Sequence, residues 1–214
     1  MQVFEIKIFG ILPDSRFLGG RGLRIFESYV QILQTNVMLT IRTIDDIKTD
    51  LLSNRQTVRN FPKSLRFPFD NLYLDIVTQI KTTEISSECV LFDSVQSVNE
   101  TKEFSDPDYW TENYAKEEID KFWIFGQNGQ GDLWLFDFEN KIYFYDHNKE
   151  QMCKDNFVEL DLNFEKWLQF SDLNKQLDYI YDTENKISEN HKTEYREKLN
   201  EISSTLLDKY PFDI

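Results

Sequence analysis

Hydrophobic and polar positions alternate most clearly between residues 121 and 147. Three short runs in this stretch, residues 122–125, 133–138 and 142–145, are rich in aromatic and β-branched residues. Such residues favour a pleated, half-buried surface, and the Asn128-Gly129 pair between the first two runs is a strong hairpin signal because both positions accept a positive φ. The pattern predicts a meander of three antiparallel strands, and the rest of the chain has to cover its apolar face.

Alternation with a period of two predicts further strands elsewhere in the chain. They are residues 3–11, 72–80 and 85–92. Residues 24–41 fit either a helix or two strands. The density of β-branched residues there, and the turn signal at Thr35-Asn36, favour the strands.

Apolar residues spaced by three and four predict helices in the remaining segments. Thr43 is a suitable N-cap for the first helix. A second helix begins at Phe164, and a C-terminal helix covers residues 187–210. We expect these helices to pack on one side of the antiparallel sheet. The predicted fold is therefore α+β, in a single domain over residues 1–214 with an elaborated N-terminal part over residues 1–62.

The composition is that of a globular protein. Hydrophobic residues make up 40% and aromatic residues 15% of 214 residues, which is enough for an unaided core. No apolar run approaches the ~18 residues of a membrane span, and the N-terminus does not resemble a signal peptide. The two cysteines, Cys89 and Cys153, fit reduced side chains. We therefore expect a cytoplasmic protein that does not associate with membranes.

The net charge of −14 is unevenly distributed along the chain. Residues 1–70 carry ten Lys and Arg against seven Asp and Glu, whereas residues 71–214 carry 14 against 31. An acidic body of this kind repels nucleic acid and anionic lipid, and it attracts basic proteins. The expected partner is therefore a basic protein and not a nucleic acid, although a charge of this size also serves solubility alone.

Residues 100–121 combine a high density of acidic side chains with several aromatic residues. This combination is typical of a protein-binding face, in which aromatic side chains anchor the partner and carboxylates steer it. The predicted partner-binding residues are Asp106, Asp108, Tyr109, Trp110, Glu112, Glu117 and Glu118. The alternative is that the aromatic residues cap the sheet while the charges are solvated.

The candidate catalytic and metal-binding residues are few. Gly131 is followed by an aspartate and another strand, whereas a phosphate-binding loop needs a lysine and the start of a helix. Asp146, His147 and Cys153 make a poor zinc site without a second histidine nearby. His147 and His191 lie in no motif of a nucleophilic enzyme. The sequence therefore predicts no catalytic residue, no metal site and no cofactor.

Three pieces of sequence follow one another around the meander. They are Trp123-Ile124-Phe125-Gly126-Gln127-Asn128-Gly129-Gln130-Gly131-Asp132, Tyr143-Phe144-Tyr145-Asp146-His147 and Asn163-Phe164-Glu165-Lys166-Trp167-Leu168. This combination, within residues 85–170, resembles the SUKH superfamily, which includes a yeast regulator of cell-wall glucan synthesis and many bacterial toxin-immunity proteins. The resemblance marks Trp123, Gly126, Gly129, Gly131, Asp132, Asp146 and Trp167 as structural residues of the family motif.

The resemblance and the charge together predict a function. We expect a non-catalytic protein-binding protein, namely a bacterial immunity protein that neutralises a basic toxin such as a nuclease. An acidic inhibitor suits this role because it can occlude the nucleic-acid channel of a basic enzyme. Two other hypotheses remain open: a regulatory scaffold of the yeast type, and an enzyme on an α+β fold without a recognised motif.

Overall fold

A six-stranded antiparallel sheet forms the centre of the fold. The computed structural model describes residues 38–56, 58–110, 114–149 and 152–210. The strands are β1 (Thr83–Ser86), β2 (Cys89–Leu91), β3 (Trp123–Gln127), β4 (Leu133–Phe136), β5 (Ile142–Tyr145) and β6 (Phe157–Leu160). Each strand is hydrogen-bonded to the next one in the sequence, so the whole sheet is a meander.

The predicted three-stranded meander is the middle of this sheet and is confirmed. Trp123 of β3 lies opposite Phe136 of β4, and β4 pairs with β5 without a shift in register. The turns between these strands contain positive φ angles, 96° at Gly131 and 58° at Asn140. Glycine and asparagine are the residues that adopt this conformation most readily, which is why the turns were visible in the sequence.

Helices surround the sheet, so the α+β prediction is confirmed. Those of the described residues are α1 (Ile44–Leu51), α2 (Asn71–Val77), α3 (Ser94–Phe104), α4 (Lys116–Ile119), α5 (Phe164–Glu184), α6 (Glu189–Ile202) and α7 (Leu206–Lys209). Short 3-10 turns cover Leu52–Asn54, Pro107–Tyr109, His147–Lys149 and Lys154–Asn156. No helix in this part of the chain has both the length and the apolar character needed to cross a membrane.

The predicted helix start at Thr43 is confirmed, since its side chain accepts a hydrogen bond from the Asp46 N–H at 3.2 Å. The single C-terminal helix predicted over residues 187–210 is wrong in its extent. Helix α6 ends at Ile202, and Ser203 takes an extended conformation before α7 begins. Buried apolar residues continue across this break at the helical spacing, with Ile202 before it and Leu206 after it, so the sequence pattern did not reveal the interruption.

The strand predicted over residues 72–80 is wrong, because this segment forms α2. The Asp70 side chain caps α2 by accepting hydrogen bonds from the N–H groups of Leu72, at 2.7 Å, and Tyr73, at 3.3 Å. Short apolar runs fit both periods, and here the cap decides for the helix. The run predicted at 85–92 contributes to two strands, β1 and β2. The strands predicted at 3–11 and in most of 24–41 lie outside the described residues.

One face of the sheet packs against α2 and α5 and forms the main core. The ring of Phe125 on β3 lies 4.9 Å from that of Trp167 on α5, in an edge-to-face contact. Trp134 on β4 is fully buried, and its indole N–H donates to the Glu88 carbonyl oxygen at 3.0 Å. Tyr73 of α2 also belongs to this core, since it is fully buried and its ring packs edge-to-face against Phe136.

The opposite face of the sheet carries a second apolar cluster, so the expectation of helices on one side is incomplete. The buried residues of this second cluster are Phe92, Phe104, Trp110, Ile119, Phe122, Ile124, Leu135 and Tyr145. Phe104 lies at the end of α3 and Ile119 in α4, so both helices help to cover this face. Helix α3 is also hydrogen-bonded to β3, because the Thr101 hydroxyl accepts a hydrogen bond from the Ile124 N–H at 2.9 Å.

Candidate functional site

The predicted partner-binding residues are divided between two places in the structure. Asp106, Asp108 and Tyr109 belong to the 3-10 turn that follows α3, whereas Glu117 and Glu118 lie in α4. Asp106 caps its turn by accepting a hydrogen bond from the Asp108 N–H at 3.1 Å. Glu112, which was predicted with them, lies outside the described residues. The predicted residues thus belong to two different structural elements.

Trp110 is a core residue, and its prediction as an exposed anchor is wrong. Only 7% of its surface is exposed, and its indole N–H donates to the Phe104 carbonyl oxygen at 2.8 Å. Its ring makes edge-to-face contacts with Phe104 and Phe157, at centroid distances of 5.2 and 5.8 Å. The alternative interpretation, that aromatic residues of this segment cap the sheet, is therefore correct for Trp110.

Glu118 makes ion pairs within the chain. Its carboxylate accepts hydrogen bonds from the ammonium groups of Lys121 and Lys154. These hydrogen bonds lower the pKa of Glu118, so its charge is already compensated within the chain. Glu117, its neighbour, is exposed.

Tyr109 is the exposed aromatic residue of the predicted set. Its surface is 54% exposed, and its hydroxyl donates to the Glu103 carboxylate at 3.2 Å. This hydrogen bond raises the pKa of Tyr109, because the neighbouring negative charge disfavours the phenolate. The phenol ring is thus held next to a carboxylate at the edge of the second cluster.

A small cleft opens beside Tyr109 on the second face of the sheet. Its volume is about 180 Å³, and it is lined by Glu100, Glu103, Phe104, Tyr109, Ile124, Leu133 and Met152. The floor is apolar and continuous with the second cluster, while two carboxylates and the phenol stand at its rim. We call this feature the acidic cleft. It can take one extended side chain that has an apolar stem and a cationic end.

Glu100 and Glu103 were not among the predicted binding residues, although they line the acidic cleft. They lie three residues apart on α3, and residues with that spacing share one side of a helix. This spacing was readable in the sequence once α3 had been extended to residue 104. The two other walls come from β3 and β4, and only the folded sheet brings those strands to the helix.

A buried hydrogen-bond network closes the turn between β3 and β4. The Asp132 side chain is completely buried, and one of its oxygens accepts a hydrogen bond from Asn128 Nδ2 at 2.8 Å. The other oxygen accepts the His147 N–H at 3.0 Å and lies 2.6 Å from His147 Nδ1. Asn128 Oδ1 in turn accepts the Asp132 N–H at 2.9 Å. We call these three residues the hairpin clasp, because they tie the β3–β4 turn to the end of β5.

The other residues of the family motif also hold structural positions. A methyl group on Gly126 would lie 2.5 Å from the Val90 carbonyl oxygen, so β2 and β3 can approach only because this residue is glycine. The Gly129 N–H donates to the Ser87 carbonyl oxygen at 2.8 Å. Trp123 and Trp167 are buried in the main core, and Asp146 accepts hydrogen bonds from Asn148.

No family model matches this chain. No curated protein and no solved structure matches it either. The resemblance to the SUKH superfamily therefore remains a prediction that rests on the motif residues.

The three residues that were weighed and rejected as a zinc site from the sequence, Asp146, His147 and Cys153, come together only in part. Asp132, Asp146 and His147 each place one ligand atom within 4.8 Å of the others, whereas Cys153 is not in this group. Within the group, His147 Nδ1 and an Asp132 oxygen are turned towards each other at 2.6 Å. The geometry is that of a hydrogen-bonded clasp, in which the acceptor capacity of Asp132 is used by protein donors.

The clasp also includes the arrangement that orients a catalytic histidine, namely a buried carboxylate at Nδ1. The His147 side chain is 48% exposed. A nucleophilic enzyme needs a hydroxyl or thiol bonded to the other ring nitrogen. Among the described residues, the His147 ring has no hydrogen bond apart from the one to Asp132. The contacts of this pair therefore fix the turn and present no nucleophile.

Proposed function

We propose that this chain is a non-catalytic binding protein that neutralises a basic protein, in the manner of the immunity proteins of the SUKH superfamily. The observation that carries the proposal is the acidic cleft, in which Glu100 and Glu103 stand over an apolar floor beside the exposed Tyr109. A cytoplasmic location, where a nuclease toxin acts, belongs to the same proposal.

The cleft has the chemistry of a pocket for a lysine or arginine side chain. The aliphatic stem of such a residue would contact Phe104, Leu133 and Met152, and its cationic end would meet the two carboxylates at the rim. Charge-assisted hydrogen bonds of this kind are stronger than neutral ones. Tyr109 adds a rigid ring at the rim, and tyrosine is enriched among the residues that dominate interface energies.

The charge of the whole chain supports the same partner. A net charge of −14 attracts a basic protein before contact and raises the rate of association. This attraction is screened over about 8–10 Å at physiological salt, so it acts on association more than on the bound state. Affinity in the bound state would depend instead on the acidic cleft.

A regulatory scaffold would bind a different partner through the same acidic cleft. The two roles differ in the effect that binding has on the partner. An immunity protein abolishes the activity of a toxin, whereas a scaffold changes the location or regulation of its partner. The enzyme hypothesis gains no support from the contacts of His147.

The test is a kinetic one, with the effector domain of a toxin encoded beside this gene as the immobilised partner. We expect Glu100→Gln combined with Glu103→Gln to raise the dissociation rate at least tenfold, which corresponds to about 1.4 kcal/mol. The matched control is Glu165→Gln combined with Glu184→Gln, which removes the same charge from two exposed positions of α5. The association rate of the wild type should fall steeply with salt.

The proposal fails if the two double variants dissociate at the same rate. It also fails if the effector domain remains fully active when the wild-type chain is in excess. Melting temperatures of all variants should be equal, because the substituted residues are partly or fully exposed. Equal melting temperatures assign any kinetic difference to the interface.

A further inference from the structure

A second, larger concavity has the opposite electrostatic character to the acidic cleft. It is a groove of about 600 Å³ between the 62–67 segment, α3, α4 and the β3–β4 part of the sheet. Its lining residues include the aromatic side chains Phe67, Phe122, Trp123 and Phe138 and the cationic side chains Arg66, Lys102 and Lys116, with Asp120 as the acidic one. We call this feature the basic groove.

Two of the three cations in the basic groove keep an uncompensated charge. Lys116 pairs with Asp120 at 2.9 Å. Arg66 donates to the carbonyl oxygens of Lys63 and Leu65, which orient its guanidinium group without neutralising it. Within the described ranges, no carboxylate lies within ion-pair distance of Arg66 or Lys102. The chain has a net charge of −14, and yet two cations without a carboxylate partner among the described residues lie on two walls of one groove.

The aromatic side chains give the groove an apolar surface that is open to a ligand. Phe138 is 45% exposed, and its ring packs edge-to-face against Phe67 at a centroid distance of 5.1 Å. Phe67 in turn contacts Trp123 at 5.6 Å. The two phenylalanine rings therefore extend the apolar surface of the groove from Trp123 outward to the exposed Phe138.

We propose that the basic groove binds a small organic anion that carries an aromatic or other planar apolar group. The volume lies within the range of about 300–1,000 Å³ that is typical of small-molecule sites. The planar group would stack against Phe67 and Phe138, and the anionic group would meet Arg66 and Lys102. The site is independent of the proposed function, because α3 separates the two features: Lys102 faces the groove, whereas Glu103 lines the acidic cleft.

A compact ligand fits the charges better than an extended one. The cations line the same groove as the aromatic side chains, so a ligand confined to the groove lies near both kinds of group. A nucleic-acid strand or a long acidic peptide would continue beyond the groove and meet a surface that is strongly acidic overall. The charge distribution therefore favours a ligand that is confined to the groove.

The experiment is isothermal titration of the full chain with 1-naphthyl phosphate. We expect one site, with affinity at least tenfold higher than for inorganic phosphate, which offers charge alone, or for 1-naphthol, which offers the ring alone. Arg66→Gln combined with Lys102→Gln should weaken binding at least tenfold. The matched control, Lys186→Gln combined with Lys209→Gln, removes two exposed cations elsewhere and should bind like the wild type.

A second pair of variants tests the aromatic part of the site. Phe138→Ala should weaken binding at least fivefold, whereas Tyr181→Ala, which removes an aromatic residue of 57% exposure on α5, should not. The proposal is overturned if naphthyl phosphate binds no better than inorganic phosphate, or if the Arg66 and Lys102 variant keeps full affinity. Displacement of naphthyl phosphate by a tighter-binding oligothymidylate would also overturn it, in favour of a nucleic-acid strand.

Discussion

Replacing Asp132 with alanine should destabilise the fold more than any surface substitution, because this residue is the centre of the hairpin clasp. The substitution removes the acceptor for Asn128 Nδ2 and for the N–H and ring nitrogen of His147. The clasp joins the β3–β4 turn to the end of β5. Its loss therefore weakens the middle of the sheet, on which both apolar clusters are built.

The magnitude follows from the partners that lose their acceptor. Hydrogen bonds to charged groups contribute about 1.5–3 kcal/mol each, and a buried polar group left unpaired costs about 1–3 kcal/mol. Asn128 is 1% exposed and cannot turn to water, whereas the half-exposed His147 can. We therefore expect a loss of about 3–5 kcal/mol, which combines the lost hydrogen bonds to the carboxylate with the cost of the unpaired Asn128 amide. For a domain of this size the melting temperature should fall by roughly 6–20 °C.

The assay is guanidinium and thermal unfolding followed by circular dichroism. The control is Asp155→Ala, which removes the same charge from an exposed position and should change stability by about 0.5 kcal/mol or less. His147→Ala should cost less than Asp132→Ala, and the double variant should show a coupling energy of about 0.5–3 kcal/mol. If Asp132→Ala melts within a degree of Asp155→Ala, the clasp does not stabilise the sheet and the reasoning is refuted.

Two further predictions concern the contact between β2 and β3 and the thiols. Gly126→Ala should cost about 1–3 kcal/mol in unfolding free energy, because its methyl group would lie 2.5 Å from the Val90 oxygen. Gly129→Ala should cost less, because its nearest contact would be at 3.1 Å. Equal losses of stability in the two variants would contradict the argument that β2 and β3 approach closely at Gly126. In a Cys153→Ser variant, the thiol of Cys89 should resist iodoacetamide until the chain is unfolded, because complete burial shields it and raises its pKa. Mass spectrometry checks this, and labelling of the native chain at the rate of a free thiol would show that β2 is accessible.

The candidate site shows where interpretation of the sequence reached its limit. Acidic and aromatic residues around position 110 correctly marked a segment with exposed charge and an exposed tyrosine. They did not show which aromatic residue is buried, because that depends on the second cluster. Trp110 finds a backbone acceptor and three aromatic neighbours there, whereas Tyr109 lies one residue earlier on the outer side of the turn.

Local chemistry in the sequence determined the parts of this protein that depend on neighbouring residues. The Asn and Gly turns, the aromatic strands between them and the N-cap at Thr43 are fixed by conformational preferences over a few residues. The choice of helix for residues 71–77 is also local, but it depends on the Asp70 cap, and a short apolar run alone does not reveal it. Tertiary structure decided everything that needs two distant segments: the second cluster, the clasp between Asp132 and His147, and the two concavities on either side of α3. The alternation of hydrophobic and polar residues indicates only that a strand has two different faces. The packing of the remaining chain determines what each face contacts.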